Sequence, residues 1–90
     1  MDIKWDKEPK SIEQKLTVDY IENHLDAVRS IINLNSSENL ISSSFTPESL
    51  EEKFYTYEIR KENSSGDYLL LIWRGLRTGD AVPIIYGRIE

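Results

Sequence analysis

The segment Arg74-Gly75-Leu76-Arg77-Thr78-Gly79-Asp80 holds the residue types with the most chemical reach. Two arginines offer bidentate forks to an anion, and glycines let backbone N–H groups turn outward, the makings of an anion-binding concavity. Arg60, Arg88, Tyr55, Tyr57 and Tyr86 extend the set into a surface able to neutralise and stack single-stranded RNA. A tight hairpin loop of this length uses the same glycines, and the nearby acids leave the C-terminal half net negative. An RNA- or nucleotide-binding domain is therefore the alternative reading and not the leading one.

Catalysis has less to stand on. The chain has no Cys and one His. It has no Gly-x-Ser-x-Gly, no glycine-rich phosphate loop and no metal-ligand spacing. His24 follows Tyr20 by one helical turn beside an apolar stripe. A general base needs a nucleophile or substrate within hydrogen-bond reach, so His24 reads as a boundary residue at the core edge; a polar pocket in front of it would revive an enzyme. Glu51 and Glu52 diverge around a helix, and Asp67 and Asp80 each follow a turn glycine, where local hydrogen bonding calls for Asp. The expectation is a non-enzyme with no catalytic residue, no cofactor and no metal site.

The elements that would position these residues come from periodicity. Ile21, Leu25, Val28 and Ile32 recur at helical spacing, and Asp19 with Glu22 fits a capping box. Ser11 with Gln14 is a second start signal, so residues 11–34 form either one helix or two elements, with Thr17-Val18 as the weak joint. Residues 1–10 form an arm carrying Ile3 and Trp5, loosely docked or a short strand. Residues 35–45 read as a Ser-rich loop, with a short strand as an option. Thr46-Pro47-Glu48 predicts a helix over 47–53. Period-two patterning then predicts strands over 54–62, 67–74 and 82–89. The fold class is α+β, one domain over 1–90, with an amphipathic helix and a short second helix on a C-terminal three-stranded antiparallel meander.

The middle strand is apolar on both faces: Tyr68, Leu70 and Ile72 on one, Leu69, Leu71 and Trp73 on the other. One helix covers one face of such a sheet. The second face needs the 47–53 helix, the 40–45 segment, the N-terminal arm or another chain. The last strand, carrying Pro83 near its start, reads as an edge open to strand addition or a homodimer.

Composition bounds the partners. A chain of 90 residues with net charge −5 disfavours non-specific binding to nucleic acid or anionic membranes, which needs a basic surface. Leu69 to Trp73 is the longest apolar run, far short of a membrane span. Residues 1–6 carry no signal-peptide core, so a cytoplasmic location is expected. Two Asn-x-Ser sequons, at Asn35 and Asn63, read as coincidences in Ser-rich loops. Without disulfides or a metal, a domain this small relies on a good core or a partner. The small, acidic, cysteine-free profile is similar in type to many bacterial immunity proteins and phage-encoded inhibitors, and no residue role carries over from that likeness. The leading expectation is a non-enzymatic inhibitor, immunity or adaptor protein that binds a protein partner. Its contact residues would be Arg74, Leu76, Arg77, Ile84, Tyr86 and Arg88, with a homodimer through the C-terminal edge strand compatible with it.

Overall fold

The computed structural model describes residues 2–35, 37–48, 53–62, 67–76, 79 and 81–90. Their chain order is β1 (Ile3–Trp5), α1 (Ile12–Glu22), α2 (Leu25–Leu34), β2 (Leu40–Phe45), β3 (Tyr55–Lys61), β4 (Tyr68–Arg74) and β5 (Ile85–Ile89). The class is α+β, as expected, but a three-stranded meander understates the sheet. Five strands pair antiparallel throughout, in the order β1-β5-β4-β3-β2. The arm and the 40–45 segment, offered as covers for the second face, instead lengthen the sheet at its two ends. The C-terminal strand is therefore not an edge: β5 lies between β1 and β4.

The start of α1 and the break between the helices have local causes. The Ser11 hydroxyl accepts from the Gln14 N–H at 3.0 Å, and Gln14 Oε1 accepts in return from the Ser11 N–H at 3.2 Å. This closes the capping box on the orphan donors of α1. Asp19, the other candidate cap, lies inside α1. The joint between helices falls at Asn23-His24 and not at Thr17-Val18. The His24 N–H turns to the Ile21 carbonyl at 3.0 Å, and its Nδ1 donates to the Tyr20 carbonyl at 2.7 Å. The His24 ring also stacks on Tyr20 with centroids 4.1 Å apart. The side chain thus takes the carbonyl that a continuous helix would give to the residue 24 N–H. Thr17 stays helical and fully buried because its hydroxyl donates to the Glu13 carbonyl at 2.9 Å.

The core lies between the helices and one face of the sheet. Strand register puts Tyr55, Tyr57, Ile59, Leu70, Ile72, Ile85 and Ile89 on that face with Ile3 and Phe45, where they cluster with Val18, Ile21, Val28 and Ile32. Fully burying each aliphatic side chain is worth roughly 1.5–3 kcal/mol. The amphipathic stripe read from the sequence is this buried row, carried across the break between α1 and α2.

Gly87 lets the arm reach the sheet. A Cβ there would meet Ile3 Cγ2 at 2.8 Å and the Lys4 carbonyl at 3.0 Å. Trp5 packs against the core edge, and its indole N–H donates to Glu22 Oε1 at 2.9 Å, which ties β1 to the end of α1. The expected 47–53 helix falls largely on residues outside those described, as do Glu51, Glu52, Arg77, Thr78, Asp80 and the 63–66 turn. No helix among the described residues is long and apolar enough to cross a membrane.

Candidate functional site

The other face of the sheet carries Lys4 from β1, Tyr86 and Arg88 from β5, and Leu69, Leu71 and Trp73 from β4. Glu58, Thr56 and Arg60 come from β3, and Ser44, Ser42 and Leu40 from β2. Neither helix packs on it; the core cluster that holds both contains none of these residues.

Its middle is closed and polar. Glu58 is only 4% exposed, and its Oε1 accepts from the Trp73 indole N–H at 3.2 Å and from Arg60 at 3.0 Å. A buried carboxylate survives only when its lone pairs are used in this way. Thr56, Leu71 and Trp73 are buried beside it, with the Thr56 hydroxyl donating to the Gly75 carbonyl at 2.7 Å.

Toward β1 the face opens into a shallow depression of about 390 Å³, lined by Lys4, Asp6, Leu69, Tyr86, Arg88 and Glu90 among others. Tyr86 is 41% exposed and Leu69 is half-buried. Arg88 is held by Glu62 at 3.3 Å and lies 3.8 Å from Asp67. An aromatic ring and an aliphatic side chain thus sit inside a ring of charges.

The residues expected to form one surface divide between two. Tyr86 and Arg88 share the depression. Arg74 belongs to the helix-covered face, at the end of β4, where its guanidinium pairs with the Glu13 carboxylate through two contacts, one of them Nε to Oε2 at 2.9 Å. The Tyr55 hydroxyl donates to the same Oε2 at 2.8 Å. The Arg74 hydrogen bond outweighs burial and holds Glu13 below the usual carboxylate range. Burial first, and then Glu13, push the Tyr55 phenol up to about 12.

Leu76 is exposed just beyond β4, after Gly75 turns the chain with φ of 65°. Ile84 packs against the core, donates its N–H to the Ile72 carbonyl at 2.8 Å and accepts from Gln14 Nε2 at 2.8 Å. Arg77 is outside the described residues.

The RNA-binding arrangement keeps Tyr86 exposed and loses its other two tyrosines. Tyr55 and Tyr57 are buried under the helices. Arg60, Arg74 and Arg88 each engage a carboxylate.

His24 lines a second depression of about 480 Å³ with Asp19, Asn23, Thr46 and Glu48, so the polar pocket named above as reviving an enzyme is present. Its Nδ1 is committed to the Tyr20 carbonyl, and the stacked ring serves as the hinge between the helices. No nucleophile among the described residues is within hydrogen-bond reach of its Nε2. Groups of three or more His, Asp or Glu able to hold a metal are absent among the described residues.

The sequence reading missed Glu58 and Trp73. Their signal was a lone acid on the polar face of β3, between Thr56 and Arg60 and facing the apolar Leu71 and Trp73 side of β4. Comparison with protein-family models, curated proteins and solved structures gives no match.

Proposed function

We propose that the protein is a non-enzymatic protein-binding domain, of the inhibitor, immunity or adaptor kind, and that the Tyr86 depression is its contact surface. The observation that carries this reading is the partly exposed Tyr86 beside Leu69, rimmed by the Lys4, Asp6, Arg88 and Glu90 charges on a face that neither helix covers. Interfaces concentrate binding energy in a few desolvated aromatic and aliphatic anchors surrounded by a polar rim, and Tyr is among the commonest anchors. The acidic balance of the chain favours a partner with a basic contact surface, since opposite potentials speed encounter and fix orientation. RNA binding is less favoured because phosphate contacts would have to break the arginine–carboxylate pairs.

The test is affinity capture from a lysate of the source organism, with and without nuclease, using wild type and Tyr86→Ala as baits. One nuclease-resistant protein, captured at near-equal stoichiometry by wild type and lost by Tyr86→Ala, is the expected result. Capture that disappears on nuclease treatment would move the function to nucleic acid.

A further inference from the structure

The two edges of the sheet are unlike each other. β1 is three residues long and carries Lys4, and short length and charge are the usual guards against strand addition. β2 is six residues, Leu-Ile-Ser-Ser-Ser-Phe, without a charge or a proline, and it pairs with β3 residue for residue without a bulge.

The ladder fixes which of its main-chain groups point away from β3. The Lys61 N–H donates to the Asn39 carbonyl at 3.0 Å. Alternation along an antiparallel pair then turns Ile41, Ser43 and Phe45 toward β3, and points the N–H and C=O groups of Leu40, Ser42 and Ser44 outward.

The flank of α2 above this edge is uncharged too. A small cavity of about 90 Å³ lies between Ala27 and Val28 of α2 and Ser43, Ser44 and Phe45 of β2, so Ala27 faces the β2 side. Arg29 and Asn33 line the opposite flank, beside Tyr68 and Ile89. Helical periodicity puts Ile31 and Leu34 on the Ala27 side. Leu34 is 84% exposed and Leu40 is 48% exposed.

We infer that β2 pairs antiparallel with β2 of a second copy of this chain, on a two-fold axis at Ser42, making a continuous ten-stranded sheet. The outward groups are self-complementary in this register. Ser42 faces Ser42, and Leu40 exchanges hydrogen bonds with Ser44 of the second copy, for about six main-chain bonds in all. Charge favours this occupant: two copies of a chain with net charge −5 repel over most of their surfaces, whereas β2 itself carries no charge from Leu40 to Phe45. The small Ser43 side chain and Ala27 leave room for the α2 flanks, with Ile31 and Leu34, to approach across the axis. The inference does not rest on the partner-binding reading: β5 lies three strands from β2, about 14 Å away, so the Tyr86 depression stays open in the dimer.

The experiment is sedimentation equilibrium from micromolar to millimolar protein on wild type, Ser42→Lys and Ser42→Pro, with amide exchange on wild type. Ser42→Lys sets two cations on the axis. Ser42→Pro removes an outward N–H, so its monomer keeps the β3 ladder. The expected result is a wild-type dimer, protection of the Leu40, Ser42 and Ser44 amides, and association weakened at least roughly tenfold in both variants. Circular dichroism of the variants stays that of wild type. A monomeric wild type with rapid exchange at those three amides would overturn the inference. So would a dimer that folded Ser42→Lys leaves intact, or a monomer whose β2 takes up an extended peptide of another sequence.

Discussion

Glu13 gathers three elements at one carboxylate: its own helix, the Tyr55 hydroxyl of β3 and the Arg74 guanidinium at the end of β4. Its pKa is lowered from 4.5. The stability it contributes is therefore complete above that value and is lost as the pH falls through the lowered folded value. Urea unfolding of wild type should show this acid limb, and Glu13→Gln should flatten it. Tyr55 has the opposite sense. A phenol raised from 10.0 to about 12 favours the folded state below pH 10 and loses that contribution as the pH rises through 12. Tyr55→Phe should remove that part of the alkaline limb, with absorbance at tyrosinate wavelengths as the check. Glu58 is structural in a different way. Truncation to Ala strips acceptors from buried Trp73 and from Arg60, and should cost about 1–3 kcal/mol in urea unfolding, with Glu58→Gln costing less.

The elements differ in how far the sequence announced them. Strands 3 and 4 and the buried row of the helices were legible because period-two and helical patterns report burial directly. The α1–α2 break was open as an option but its place was not legible, because it depends on a His side chain competing for a main-chain carbonyl rather than on a Gly or Pro. β2 was faint because Ser occupies three of its six positions, and its strand character comes from pairing with β3. β1 was ambiguous for a related reason: three residues carry little pattern, and what holds them is the approach that Gly87 permits on the neighbouring strand. The candidate site divided because sheet order was not in the pattern. An arm adding outside β5 turns the expected C-terminal edge into an inner strand. Gly87→Ala should push β1 away from β5. The Asp6 N–H, bonded to the Tyr86 carbonyl, and the Glu90 N–H, bonded to Asp2, should then exchange faster, and Trp5 fluorescence should shift to the red. Ser11→Ala should cost about 1 kcal/mol by opening the α1 cap, with the β1 amides unaffected.

On the scale of the whole molecule, the two helices pack on one face of a five-stranded sheet, and the other face carries, among the described residues, the buried Glu58–Trp73 group and the Tyr86 depression. A net charge of −5 disfavours polyanions and would favour encounter with a basic partner of the proposed kind. If β2 joins two copies, both depressions lie on one continuous sheet face, and a repetitive partner would gain from bivalent attachment. The central claim is that Tyr86 anchors a protein partner. Its most direct test is calorimetric titration of the captured partner into wild type and into Tyr86→Ala of matched thermal stability. Near-equal stoichiometry with wild type and a loss of about 2 kcal/mol or more in the variant are expected. Equal affinity for the two proteins would contradict it.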